Sequence, residues 1–289
     1  MNRPPQTHPP QRPKRRHTDG DRSLALGNWF AIYKRELQSY FKAPLAYIIA
    51  GVFWLIAGIF FVMIMSSVLG QSAGLDFQQQ QGGGGEPINF DAPYVLLQQF
   101  LGTLASLVLV LMPMLSMGLY AEERKRGTLE LLATSPITNW SVAVGKLAAA
   151  VTFFVGMMLP MMAYEAVILS SASPGVAPTV FLLSHLGLVL LASAILSLGM
   201  FISSLTSSTI VAAIMTFGLV LLLWIVDALG SGASGAIAAI ANHLSMIRHY
   251  TQLTQGIVDT GSLLMLASYS FLGIFLTAQS VETFRFQRT

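Results

Sequence analysis

The sequence predicts an all-α polytopic membrane protein, with six transmembrane helices, an amphipathic interfacial helix before them and a short cytoplasmic helix between two of them. Three observations carry that prediction. Of the 289 residues, 54% are hydrophobic and only 10% charged, and the mean hydropathy of +0.64 leaves too little polar surface to solvate a globule. Several apolar stretches reach the ~20 residues that a helix needs to cross the hydrocarbon core of a bilayer. The sixteen Lys and Arg residues fall in a few blocks beside those stretches. That pattern sets membrane orientation, and it argues against a nucleic-acid partner despite a net charge of +3. With no cysteine in the chain, disulfides, thiolate metal sites and cysteine nucleophiles are excluded.

Residues 1–27 open "MNRPPQTHPPQRPKRRHTDGDRS" and carry almost no large apolar side chains. Such a segment buries too little surface to offset its ordering entropy, which predicts a disordered cytoplasmic tail. Its basic residues suit either solvent or anionic lipid headgroups. No short apolar core follows the basic stretch, because the first apolar run is a full-length span, so a cleaved signal peptide is not expected.

The segment 28–43, "NWFAIYKRELQSYFKA", has helical periodicity. Trp29, Tyr33, Leu37 and Tyr40 share one face, and Lys34, Arg35, Gln38 and Lys42 the other. Asn28 is the expected cap and Pro44 the expected break. Aromatics opposite basic residues suit a helix in the headgroup layer of the bilayer.

The remainder, 44–284, holds six apolar runs at residues 45–69, 97–119, 142–170, 179–204, 208–229 and 262–281. Nine Lys or Arg residues precede the first run and three lie in the connector 120–141. Lys146 sits just inside the third run, Arg285 and Arg288 follow the last, and only Arg248 falls on the other side. This bias places both termini, including the short tail 285–289, in the cytoplasm of a multi-pass protein of the cell inner (plasma) membrane. On the outer side, "QQQQGGGG" within 70–96 reads as a flexible tract, "SASPGVAP" as a turn, and "LSMIRHYTQLTQGIVDTG" as an amphipathic element resting at the surface. On the inner side "SSLTSS" is a bare turn, so the connector 122–140, "EERKRGTLELLATSPITNW", is the sizeable feature there.

That connector concentrates six charges in nine positions and then presents Leu129, Leu131 and Leu132. Glu122, Arg126 and Glu130 are spaced to pair along one helical face. Gly127 interrupts, Thr128 can begin a fresh turn, and Pro136 ends a helix of about two turns. A helix so short is marginal alone in water and needs a partner surface, which the leucines can supply; the alternative is a lipid anchor.

The connector extended to Lys146, "EERKRGTLELLATSPITNWSVAVGK", resembles the first cytoplasmic loop of type-2 ABC transporter permeases. "YKRELQSYFKAPLAYI" resembles the opening segment of the branch with gliding-motility and nitrous-oxide-reductase maturation permeases, and "HYTQLTQGIVD" its outer loop before the last span. The resemblance covers residues from about 28 to 284. It implies a permease subunit of an ATP-driven exporter, in which the loop forms a coupling helix seated in a cleft of a separate ATPase subunit. Glu122, Glu123, Arg126, Gly127, Thr128, Leu129, Glu130, Leu131, Leu132 and Pro136 would carry that contact. ATP and Mg would belong to the ATPase partner, with no cofactor on this chain, and a second permease copy or a related subunit would complete the membrane part. The chain departs from the branch pattern in the outer loop, where Thr251 or Gln252 and Gln255 replace charged residues.

The residues themselves offer no phosphate-binding motif: "VGKL" lacks both the upstream glycine and the following hydroxyl, and Lys146 is expected to snorkel to the cytoplasmic interface. "GSGASG" follows a span rather than a strand, so it is no dinucleotide fingerprint. Within the spans, Glu165, His185 and Asp227 are the candidate residues of a translocation path. Glu165 lies ~28 Å beyond Lys146 along the helix, near the outer interface. These three residues are either wetted at the outer boundary or line a vestibule together. Pro113 and Pro160 are expected kink points. His243 and His249 are too isolated to hold a metal. Two other function classes fit the residues: an ion-coupled secondary transporter with a Glu165, His185 and Asp227 proton relay, and a non-transporting scaffold that docks a regulator on 122–136.

Overall fold

The computed structural model of the chain describes residues 20–81, 90–129, 138–173, 175–232, 234–257 and 259–286. Within them the chain forms ten helices and no strand: α1 (Gly20–Lys42), α2 (Pro44–Gln80), α3 (Ala92–Ser116), α4 (Gly118–Lys125), α5 (Asn139–Ser170), α6 (Pro178–Leu205), α7 (Thr209–Gly232), α8 (Gly235–Leu244), α9 (Met246–Thr254) and α10 (Thr260–Phe286). Six stretches are long and apolar enough to cross a membrane: α2, α3 with α4, α5, α6, α7 and α10. The chain is an all-α polytopic membrane protein.

Helix starts follow local chemistry. Pro44 and Pro178 occupy first-turn positions, where no amide donor is needed. Asp91 caps α3 by accepting from the Tyr94 amide at 3.1 Å, and Thr138 caps α5 by accepting from the Ser141 amide at 3.3 Å. Two boundaries differ from expectation. Helix α1 begins at Gly20, within the segment expected to be disordered, so Asn28 lies inside the helix rather than at its start. Helix α2 runs for 37 residues through Gln80, into the tract expected to be flexible. Hydropathy ends near residue 69, but Ser, Ala and Gln still form helix, so loss of apolarity is not loss of structure. At about 55 Å, α2 is much longer than the ~30 Å hydrocarbon core.

Helix α6 is the hub, the most deeply buried span, and it packs against α3, α5, α7, α9 and α10. Small residues permit this. A single carbon added at Gly273 of α10 would meet the Ser197 backbone, and one at Gly199 would meet Ser116 of α3 and Thr216 of α7. The Ser197 hydroxyl also donates to the Tyr269 carbonyl at 3.2 Å. By contrast α7 is the least buried span and turns Ile210, Ile214, Leu222 and Trp224 outward.

Helices α8 and α9 close the end of the bundle opposite α1 and α4. Met246, Tyr250 and Leu253 of α9 are buried, Leu253 rests on Gly187 of α6, and the Tyr250 hydroxyl donates to the Leu101 carbonyl of α3 at 2.8 Å. Gly187 and Leu101 each stand nine residues into their helices, about 14 Å from the helix ends. So α9 is inserted among the spans rather than resting on the surface. Its amphipathic pattern is the one expected, but the apolar face meets protein.

Candidate functional site

Two polar groupings stand out, one at each end of α5. At the first, helix α4 emerges from α3 across a break at Met117. Pro113 lies one turn earlier, and its carbonyl accepts from the Met117 amide at 3.2 Å. The Ser203 hydroxyl of α6 accepts from the Tyr120 and Ala121 amides at 3.1 and 3.0 Å and donates to the Met117 carbonyl at 2.8 Å. It thereby satisfies amides that a helix start leaves unpaired. Arg124 donates to the Ser204 carbonyl at 2.9 Å.

The Lys146 ammonium is 2% exposed and lies 2.9 Å from Glu123 of α4 and 3.2 Å from Glu36 of α1. It also sits 5.1 Å from the centre of the Tyr120 ring. One cation thus joins α1, α4 and α5. The aromatic face of α1 completes the junction: Tyr40 stacks on Phe153, Tyr33 donates to the Thr152 hydroxyl at 3.2 Å, and Ile32 covers Gly145. Burial, with the Glu36 charge adding to it, pushes the Tyr40 phenol up, which keeps it a donor toward the Leu115 carbonyl.

Helix α4 ends in a glycine motif. Gly127 has φ +70°, its amide donates to the Arg124 carbonyl at 3.2 Å, and the Thr128 amide donates to the Glu123 carbonyl at 3.0 Å. Leu129 then turns back, 8% exposed, into the protein's own core. A cavity of about 140 Å³ lies between α1, the start of α2 and the α3–α4 joint, with Glu36, Tyr40, Ile49, Met117 and Glu122 in its walls.

At the other end of α5, Glu165 is fully buried and His185 is 2% exposed, with Nε2 3.1 Å from the Glu165 carboxylate. His185 Nδ1 lies 2.8 Å from the Phe181 carbonyl. Tyr250 approaches from α9; burial pushes its phenol up, and the Glu165 carboxyl acts in the same direction. Asp227 is elsewhere, accepting from the Ser245 hydroxyl that also caps α9. A third set joins α9 to α10: His249 Nδ1 is 2.9 Å from the Ser262 hydroxyl, which also lies 2.9 Å from Asp259.

Residues 30–284 match the family described as ABC-2 family transporter protein. The chain belongs to that family. A comparison with curated proteins gives no match. The protein is therefore a membrane permease component of an ABC transporter, the non-catalytic subunit of an assembly that includes an ABC ATPase subunit.

In this permease, Glu122 and Arg126 pair at 3.3 Å as their spacing predicts, both exposed. Glu123 faces Lys146 within the chain. Lys146 does not snorkel to an interface, because two carboxylates and an aromatic face replace its water. Gly127 interrupts the helix as expected, and helix resumes at Leu129, directly after Thr128. Leu129 packs into the protein's own core. Glu130, Leu131, Leu132 and Pro136 lie outside the described residues. Glu165 and His185 are brought together, buried rather than wetted, and Asp227 does not join them, so no three-residue relay forms among the described residues. Among those residues no group of His, Cys, Asp or Glu is placed to hold a metal ion. Sequence reasoning missed the Lys146 cluster and the inserted α9. The available signals were a lysine about two turns inside an apolar helix and a glycine, Gly187, facing the apolar side of "MIRHYTQLT".

Proposed function

We propose that this permease exports its substrate across a plasma membrane, with both termini cytoplasmic, and that ATP hydrolysis on two separate ATPase subunits acts on it through residues 122–136. The observation that carries the reading is the attachment of α4. The helix that leads into that segment is bonded to α1 and α5 through Lys146 and to α6 through Ser203 and Ser204. A push on the segment therefore reaches α1 and two spans, α5 and α6, and the cavity beside Glu36 gives α4 room to tilt against α1. With Leu129 folded inward, Leu131 and Leu132 are the side chains left to fill an ATPase cleft. The fifteen-to-one bias of basic residues supports the orientation. ATP and Mg act on the ATPase partner.

A second permease, identical or related, would complete the membrane part. Two surfaces support this. Helix α7 turns large apolar residues outward, and an open groove of about 520 Å³ between α2 and α3 is lined by Ser67, Gln99, Thr103 and Ser106 as well as Phe60 and Met63. Polar side chains that point out of a membrane bundle face another protein or a water-filled path.

The test is co-purification of the ATPase subunit with Leu132→Asp, followed by ATP hydrolysis in liposomes. A carboxylate in an apolar cleft is strongly disfavoured, so ATPase recovery should fall by at least roughly tenfold. Full recovery would rule out the coupling role, because a leucine anchored in lipid touches no partner.

A further inference from the structure

The Glu165–His185 pair has a proton requirement that its geometry fixes. The Phe181 carbonyl can only accept, so the 2.8 Å contact places a hydrogen on His185 Nδ1. The 3.1 Å contact between Nε2 and Glu165 then needs one further proton. It is either an imidazolium donating to a carboxylate or a carboxylic acid donating to a neutral imidazole, and both forms are neutral overall. Without that proton a nitrogen lone pair faces a carboxylate and the bond does not exist. With an additional one the buried pair carries a net positive charge.

Nothing nearby compensates for loss of the proton. Glu165 Oε1 and the Tyr164 hydroxyl are both buried, with no hydrogen-bond partner among the described residues. The groups that face the carboxyl are Tyr164 of α5 itself, His185 of α6 and Tyr250 of α9, whose hydroxyl is engaged by the Leu101 carbonyl. The described residues supply Glu165 with no Lys or Arg ion pair. A net negative charge there needs water, and the neighbours of His185 on α6 form a seam with α9. The Ser184 hydroxyl reaches the Thr254 carbonyl at 3.4 Å, and Gly187 carries Leu253.

We propose that Glu165 and His185 form a proton-binding site, whose single shared proton joins α5 to α6 and so holds α6 in place under α9, and whose release to entering water opens the α6–α9 seam. The site is a local device at one end of the bundle, not a transmembrane relay, because Asp227 stands apart from it. It is independent of the ATPase and of the export reading, so it is tested on the permease alone.

The experiment is hydrogen exchange of the full chain in nanodiscs across a pH series, read as protection factors with the intrinsic pH dependence divided out. If opening releases one proton, the opening constant of α9 rises about tenfold per pH unit. In Glu165→Gln the amide donates to His185 Nε2 without titrating, so α9 should stay protected with no slope. A flat native profile, a hundredfold slope, or the native slope retained in Glu165→Gln would each overturn the proposal. Nitrogen NMR of the unmodified protein reads the same proton without a variant: Nδ1 should remain protonated while the shared proton leaves over the pH interval in which α9 opens. A His185 carrying its hydrogen on Nε2 alone would also overturn it.

Discussion

Lys146 and Glu165 stand on one helix, about 28 Å apart along α5, and both are buried. The first is held by opposite charges supplied from α1 and α4; the second is held by a proton shared with α6. A lysine between two glutamates works as a strut, with its strength set by geometry and by the exclusion of water. A glutamate and a histidine work as a conditional joint, present only while one proton is in place. The strut secures the end where α4 leads into 122–136, and the conditional joint lies under α9. The difference shows how one helix can transmit force at one end and respond to its surroundings at the other.

Lys146→Met tests the strut and should have the largest effect. It leaves Glu36 and Glu123 facing each other without a cation, and breaking a buried pair by removing one partner costs about 3–5 kcal/mol. Chemical denaturation of the purified permease in detergent should register that loss. Adding Glu36→Gln and Glu123→Gln to the same variant should recover most of it. Native stability for Lys146→Met alone would mean that the aromatic packing of α1, not the ion cluster, secures this junction.

Gly127→Ala probes the same end one step further out. A side chain at φ +70° costs about 1–2 kcal/mol, and the glycine-dependent bonds to Arg124 and Glu123 weaken with it. Amide protection over residues 118–129 should fall by roughly tenfold or more, while α9 keeps its native protection. Equal losses at both ends would deny that the two groupings are independent.

Asp259 sharpens the comparison on the acid side and should give the smallest effect. The Ser262 hydroxyl, and after it the Gly261 amide, hold this half-buried carboxyl below its usual range. Its folded value is depressed, so its contribution is complete above the ordinary carboxylate range and is lost as pH falls through the lower folded value. Between about pH 6 and about pH 3 the thermal midpoint of the native protein should fall more than that of Asp259→Asn. The Glu165–His185 joint loosens in the opposite direction, as pH rises. An identical acid profile in Asp259→Asn would show that this cap adds nothing.

The spans were legible because hydropathy over some twenty residues is a local property, and the aromatic face of α1 was legible for the same reason. What that face meets was not: Tyr40 finds Phe153, and Glu36 finds Lys146, across more than a hundred residues. Lys146 looked like a snorkelling lysine because no local signal announces that Glu36 and Glu123 converge on it. In α9 the apolar positions Met246, Tyr250 and Leu253 were readable, but their depth depended on the absent side chain at Gly187. Gly127 is legible as an interruption, and its positive φ does end α4, but the inward turn of Leu129 after it has no local signal. Glu165 and His185 could each be placed at a height along a helix. Their pairing depends on the rotation of α5 against α6, which a single sequence does not encode in any local pattern.

The missing side chains at Gly199 and Gly273 have a mechanical meaning. At Gly273 the α10 backbone lies against the α6 backbone at Ser197, and at Gly199 the α6 backbone lies against the short Ser116 side chain of α3, so little compressible material separates these helices. Helices α3, α6 and α10 therefore form an axle, and any rearrangement that keeps them helical must carry them as one piece. Bending is left to the places where the helical ladder is already interrupted. One is Met117, just below Pro113. The other is Pro160 of α5, which cannot donate to the Gly156 carbonyl and stands beside the Met157 carbonyl taken by the Trp54 indole at 2.8 Å. The turning parts are then α4 at one joint and the far half of α5 at the other, pivoting about a core that does not deform.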